Sequence, residues 1–435
     1  MVNGVYNHML DWSMYSFSWI GMTSITSDDA DKGSTPGDTG SDKHLLDALD
    51  FRTNLSSAAN VWYGRYTGIY RANTAIYYLE QLSLDEELKN RLIGEMEFLR
   101  SFFYFDLVRC FGGVPLVVEK IDINDLEKVN NTVYVRKSKE EVYAQIETDL
   151  KSAMNRLPAT YTGDDVGRAT SMAAKALLSK VYMYEENWQE AYNYSSEVIN
   201  SGLFDLMENY IDVWKEIGEN GTESIFEVQA TLNNGLQQYC DVQSGRGTPD
   251  YGWGFNTPSE TLANSYEEGD KRREATIIFV PSTLWDGFYA PETWNNDRYN
   301  LKAYQSRTAE TWDGNKSVTA KNLRLLKYSD ILLINAESAF HLGKTDESLK
   351  WINKIRTRAG LPERTSLTLE NIWDERHWEM AMEHDRWFDL IRTGQAYEKM
   401  AADGKNFIVG THELFPIPEE EIIQSGGRLT QNPGY

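Results

Sequence analysis

The chain reads as a mostly α protein: a tetratricopeptide-like helical-hairpin scaffold interrupted by a long, irregular, loop-rich insertion containing short strands. Three observations predict this. Apolar residues recur with a helical period of about 3.6 through most of 1–202 and 321–400. Two segments, 170–200 and 324–359, each hold a helix pair close to the length of a tetratricopeptide repeat, about 34 residues. Between 203 and 320 the period disappears and Gly, Asn, Thr, Trp and Tyr become common. With 435 residues the chain can bury a large core. We read it as one domain, with the scaffold at 1–202 and 321–400, the insertion at 203–320 and an extended tail at 401–435.

Residues 2–20 are expected to be helical, with Tyr6, Leu10, Met14 and Phe17 in phase. The polar, Gly- and Asp-rich run 27–40 is a loop. Two long helices follow at 57–82 and 85–110, the second opening on the acidic turn Asp85-Glu86-Glu87. Gly112-Gly113 breaks the pattern; no Lys-Ser or Lys-Thr follows, so it is a turn and not a phosphate cradle. Residues 117–137 cross irregularly, with a weak strand signal at 132–135. Ser138 and Glu141 form a capping box that opens a helix ended by Pro158.

The first hairpin places Leu178, Tyr182, Trp188 and Ala191 at packing positions, and the second, helices 325–342 and 345–359, uses the small residues Ala336, Ala339 and Ser348 for close contact. Residues 203–320 break a simple contiguous array. Within them, 224–229 alternates like a strand and 262–267 looks helical.

The stretch 372–394 is predicted as one helix, with Trp373, Met380, Trp387 and Ile391 on one side and Gly394 as its stop. Glu375, Glu379 and Glu383 recur every fourth residue. They would repel unless paired with bases such as Arg376 and Arg386, within the helix or from neighbours. The tail begins extended through Pro416 and Pro418, then Glu419-Glu420-Glu421 suits the first turn of a short helix.

A net charge of -23 argues against a nucleic-acid partner. The two cysteines, Cys110 and Cys240, allow at most one disulfide, and Cys110 fits a free core position. No signal peptide or membrane-spanning run is visible, so the chain is either soluble as it stands or lacks its natural N-terminus. Asp29, Asp31 and Asp38 could offer oxygens to calcium, but the twelve-residue calcium-loop pattern is absent. No metal or other cofactor is expected.

The informative excess is aromatic: 13 Trp and 25 Tyr, with many in the insertion. Flat rings stack on the C–H faces of sugars while amides and carboxylates meet the hydroxyls. Tyr251 and Trp253, flanked by glycines, suit presentation to a ligand better than a core. The densest candidate surface is 281–316, with Trp285, Tyr289, Trp294, Asn295, Asn296 and Trp312. Asp29, Asn256, Asn295 and Asn296 are the candidate hydrogen-bonding groups. No catalytic residue is assigned.

Several blocks also carry a resemblance. These are Trp373-Asp374-Glu375-Arg376 through Arg386-Trp387-Phe388-Asp389-Leu390-Ile391-Arg392, the Phe111-Gly112-Gly113-Val114-Pro115 break, Arg71-Ala72-Asn73, Thr26-Ser27-Asp28-Asp29-Ala30 and the closing Gln431-Asn432-Pro433-Gly434-Tyr435. In order, across 57–116, 138–200, 250–273 and 322–435, the chain resembles the SusD/RagB family of surface-exposed outer-membrane lipoproteins of Bacteroidota.

The resemblance implies a single SusD-like domain, a lipid anchor on an N-terminal cysteine missing from this sequence, and a cell-surface location. It also implies non-catalytic binding of oligosaccharide or polysaccharide and delivery to a partner SusC-like TonB-dependent transporter. Two alternatives stand beside it: a glycoside hydrolase using paired carboxylates, and a helical-repeat protein–protein interaction module.

Overall fold

The structure is a computed structural model that describes residues 1–249 and 252–435. Seven helices pack in chain order, each against the next: Ser56–Gln81, Glu86–Phe111, Lys139–Arg156, Ser171–Tyr184, Trp188–Asn200, Tyr328–His341 and Thr345–Ala359. Their starts follow local chemistry. The Asp85 carboxylate accepts from Leu88 N at 3.1 Å, and Ser138 and Glu141 close the expected capping box. The Thr345–Ala359 helix stops at Gly360, in the left-handed conformation a glycine adopts without strain. Their inward faces form one continuous core, in which Met96, Phe98, Leu99, Phe103, Leu177, Val181, Ile331 and Ile352 are fully buried. Each such side chain removed from water stabilises the fold by about 1.5–3 kcal/mol.

The insertion does not break this stack. Ser224–Val228 pairs antiparallel with Leu323–Lys327, Val228 opposite Leu323 and Ser224 opposite Lys327. The chain therefore leaves the scaffold and returns to it through one two-stranded ribbon. The helix before the insertion packs directly on the helix after it. Asn335 donates to Ser195 and Ser196 Oγ at 2.9 Å each, and the Trp188 ring stacks on His341 at 3.9 Å. The close approach expected of small residues is present, with Ser348 Oγ donating to the Ala336 carbonyl at 2.7 Å.

Several expected elements differ. Leu325 belongs to the returning strand, and the helix starts at Tyr328; the alternating contacts with Phe226 and Val228 win over helix propensity. Residues 2–20 form three short helices followed by a wide turn, Gly21–Ile25, because the segment bends across the Ser56–Gln81 helix. Residues 129–133 are a wide helical turn instead of a strand. Both cysteines are free and buried.

The largest difference is in 372–394. One helix, Leu369–Met380, ends at Ala381, and a second, Arg386–Arg392, begins after a tight turn in which Met382 and His384 have positive φ. The turn is held from outside. Asp29 accepts from Met382 N at 3.0 Å and from His377 Nε2 at 2.6 Å, and Asp28 takes the Arg386 guanidinium on both oxygens at 2.6 Å. The helical apolar period runs through the break, so the periodicity carries no sign of it.

The acids of this stretch are neutralised by bases outside the helix. Arg272 reaches Glu375 at 2.7 Å and Glu379 at 3.4 Å, and Arg356 reaches Glu375 at 3.0 Å. Arg358 pairs with Glu379, while Lys302 and Lys327 reach Glu383 at 2.7 and 2.8 Å. Arg376 serves Asp330 and Asp389 instead, and Arg386 serves Asp28. Burial raises Glu375 and Glu383 despite their cations. At Glu379 burial acts the same way, but Arg358, Lys327 and Arg272 outweigh it and hold the carboxyl at about 2. Arg272 and Lys302 come from the insertion, so the insertion is locked onto the scaffold by buried charge.

Candidate functional site

Within the insertion, burial sorts the candidate residues into a frame and a surface. Trp294 belongs to the frame. It is buried against Tyr299, edge to face at 5.0 Å, and a Cβ on Gly245 would meet its ring at 2.2 Å. Asn256 is buried with positive φ and donates to Gln243 Oε1 at 2.7 Å. Asp29 is buried in the turn described above. These three do not stand on an open face, contrary to expectation; each meets internal partners. Asn296 is half-buried and donates to Tyr299 Oη at 3.2 Å and the Ser34 carbonyl at 3.3 Å. Tyr251 lies outside the described residues.

The open residues form two groups. In the first, Trp253 and Trp312 both neighbour Asp241, Trp253 through hydrogen bonds and Trp312 in the lining of one pocket. Trp253 is half-buried, packed edge-on against Phe17 at 5.7 Å and beside Trp12 at 6.1 Å, and its backbone N donates to the Asp241 carbonyl at 3.0 Å. Trp312 is half-buried in the wall of a shallow pocket that also contains Asp241, Ser244, Gln305, Arg307 and Asn315. The Arg307 guanidinium lies 5.1 Å from the Trp312 ring centre.

The loop carrying Trp312 is anchored next door. Thr311 donates to Glu216 from both N and Oγ1 at 2.6 Å, and Gln305 Nε2 donates to the Thr311 carbonyl at 2.9 Å. Burial raises the Asp241 carboxyl, opposed by Lys316, Arg307 and a hydrogen bond to Trp253.

The second group is Trp285, Phe288, Tyr289 and Tyr304. Lys215 Nζ lies 4.5 Å over the Trp285 ring, whose other neighbour is Tyr304, edge to face at 6.3 Å. Tyr289 is 49% exposed, and its hydroxyl donates to Glu292 at 3.1 Å. Asn295 is exposed, with its backbone N on the Arg246 carbonyl. The groups meet at Tyr304-Gln305, where Tyr304 packs on Trp285 and Phe288 and Gln305 lines the Trp312 pocket. Asp241, Ser244 and Arg307 were not foreseen. Asp241 and Ser244 follow a single aromatic, Tyr239, that faces inward to His384, and Arg307 could have been found only as a cation inside the aromatic segment.

Chemically this is a place for a flat, hydroxyl-bearing molecule: ring faces beside amides, a hydroxyl, a carboxylate and a guanidinium. The acid ladder lies elsewhere and is buried, each carboxylate facing cations. Two of the three candidate calcium-loop carboxylates are also engaged, Asp29 as above and Asp38 with Ser34, Gly40 N and Arg246, while burial and the nearby Asp47 raise the third, Asp31. Asp28, Asp29 and His377 bring ligand atoms within 4.8 Å of one another, but Arg386 covers both Asp28 oxygens and His377 itself bonds Asp29.

A continuous stack of helical hairpins with an aromatic, polar surface on a stapled insertion is the architecture of a helical-repeat binding protein. The chain belongs to the SusD family, whose model matches residues 222–435; a second model, described as starch-binding associating with outer membrane, matches 13–183. A SusD-like protein of Bacteroides ovatus is 29% identical over 380 residues, spanning 79% of this chain and 66%, just under two thirds, of that relative.

Among solved structures, a laminarin binding SusD-like protein is 29% identical with a TM-score of 0.84, covering 100% of this chain and 98% of that one. Surface glycan-binding protein A from Bacteroides thetaiotaomicron, in complex with laminarihexaose, is 25% identical with a TM-score of 0.85, covering 99% and 98%. Among the described residues no helix is long and apolar enough to cross a membrane.

Proposed function

We propose that the protein binds oligosaccharide or polysaccharide at the cell surface without altering it and passes it to a SusC-like TonB-dependent transporter, held at the outer membrane by a lipid on an upstream cysteine. The observation that carries the binding reading is the Trp253–Asp241–Trp312 arrangement. Trp312 shares a pocket with the partly buried Asp241 carboxylate, Gln305, Ser244 and Arg307, and Trp253 hydrogen-bonds Asp241 next to it. Trp285, Tyr289 and Asn295 extend the surface for a longer chain; Asn296, Trp294 and Asn256 belong to its frame, while Asp29 serves the turn after Ala381. Family membership supports the transporter and the anchor. The names of the two solved relatives make laminarin, a β-glucan, the first ligand to try.

The test is calorimetric titration of a glycan panel including laminarin, followed by chromatography of the recovered glycan. Binding is expected with chain length unchanged. Trp312→Ala is expected to weaken it by about 1–3 kcal/mol, the scale of one lost stacking platform. Unchanged affinity in both Trp312→Ala and Trp253→Ala would remove this surface from consideration, and shortened glycan would replace binding with hydrolysis.

A further inference from the structure

The Ser56–Gln81 helix leaves a face uncovered. Tyr63 and Tyr70 are 64% and 55% exposed and sit two helical turns apart. They line a groove of about 560 Å³ whose other wall is the irregular 117–134 segment, and Ile123 and Leu126 stand at its edge, 76% and 68% exposed. The floor is aliphatic, made by Ile69, Ile121, Val129 and Val133.

Three of the polar groups in this groove are engaged already. The Tyr66 hydroxyl donates to the Pro115 carbonyl at 2.7 Å, Asn73 bonds Val117 and Arg100, and Glu119 pairs with Lys128 at 2.8 Å. Of the two carboxylates in the lining, Glu421 is the unpaired one. Its carboxylate lines the groove, half-buried, with no cation in ion-pair reach among the described residues, and burial and the adjacent Glu420 raise it. Asp122, Asp125, Glu127 and Glu420, each next in sequence to a lining residue, are exposed.

We infer that this groove docks a protein partner through a segment that is apolar on one side and carries lysine or arginine, the apolar side filling the floor and one cation meeting Glu421. Charge and chemistry select this occupant. A second copy of the chain would set these acids against their own copies, and an anionic membrane surface would be repelled in the same way. A sugar would find rings at Tyr63, Tyr70 and Tyr134, but it would leave the aliphatic side chains of Ile121, Ile123, Leu126, Val129 and Val133 against its hydroxyls and Glu421 without a counter-charge. An amphipathic segment laid in an apolar groove loses nothing comparable. The inference does not depend on the glycan surface.

The experiment uses two fluorescent amphipathic peptides, one of leucine and lysine and one of leucine and glutamate, titrated into the protein and read by anisotropy. Variants are Tyr70→Ser with Leu126→Ser, and Glu421→Lys; all three side chains are at the surface, and unchanged Tm confirms the fold. The lysine peptide is expected to bind, about tenfold more weakly to the double variant, corresponding to ~1.4 kcal/mol. Glu421→Lys is expected to weaken it at low salt and less so at high salt, and the glutamate peptide is expected to bind at least about tenfold less well.

Equal affinity in wild type and both variants would mean that the acidic surface at large holds the peptide, and would overturn the proposal. So would equal binding of the glutamate peptide, loss of laminarin binding in the Tyr70→Ser, Leu126→Ser protein, or self-association abolished by those same changes. Retained laminarin binding in the groove variants, alongside loss in Trp312→Ala, would separate the two surfaces.

Discussion

Trp294 and Trp312 belong to one irregular segment and meet opposite surroundings. Trp294 is enclosed by Tyr299, Phe288 and the glycine at 245; Trp312 lies half-open over a polar pocket. Trp294→Ala is expected to cost about 3–5 kcal/mol of stability, read as a drop in urea midpoint, through the cavity it leaves. Trp312→Ala is expected to leave stability within about 0.5 kcal/mol and to act on binding alone.

His384 gives a pH signature at the same scale. It is buried between Thr23 and Tyr239, and burial lowers it from 6.5 to about 4, opposed by Asp385. The unfolded chain therefore takes up a proton below pH 6.5 that the folded chain declines until about 4. Stability falls as pH drops through that window, by at most about 1.4 kcal/mol per unit from this group. His384→Asn, which tolerates the left-handed backbone there, is expected to flatten that part of a urea-unfolding series between pH 6.5 and 4. An unchanged slope would place the proton uptake elsewhere.

At the scale of elements, the broken helix at 369–392 is the informative one. Its two halves are aligned by the early Asp28-Asp29 pair, a contact across most of the chain. Asp28→Ala leaves Arg386 buried without its partner and is expected to cost about 3–5 kcal/mol, measured by denaturant unfolding. A loss below about 1 kcal/mol would mean the turn holds without it.

The elements that could be read in advance are those whose cause is local: the Ser138–Glu141 capping box, the periodic faces of the long helices, the glycine stop at 394 and the short helix after Pro418. What could not be read has remote causes. The break at Ala381 interrupts an unbroken apolar pattern, and its determinants lie at residues 28 and 29. Leu325 fits a helix until Phe226 and Val228 are brought beside it. Which tryptophan is open depends on what packs behind each one, and composition does not record that. The region of the candidate surface was therefore visible in the aromatic count, while Asp241 and Arg307, and the burial of Trp294, Asn256 and Asp29, were not.

For the whole molecule, the paired strands and the buried charges give the insertion and the scaffold a common fate. Arg272 and Lys302 of the insertion stand against Glu375, Glu379 and Glu383 of the scaffold, so removing either part leaves uncompensated charge in the other. Calorimetry is expected to record one cooperative unfolding transition, and limited proteolysis is not expected to release 229–322 as a folded fragment. Two resolved transitions would show that the insertion folds by itself.

The two-stranded ribbon has an engineering consequence. Entry and exit of the insertion are adjacent, and Arg272 and Lys302 fasten it to buried acids of the scaffold while Tyr289 stands exposed and Trp285 and Trp312 half-exposed. The tips can therefore be rewritten without disturbing the fastening. A combinatorial library confined to Tyr289, Trp312 and Asp313, with Arg272, Lys302, Glu216, Asp286, Phe288, Ser306, Glu310, Thr311 and the Trp294 frame held constant, is expected to keep its fold, read as an unchanged Tm. It would make this chain a display scaffold whose specificity is chosen by the experimenter.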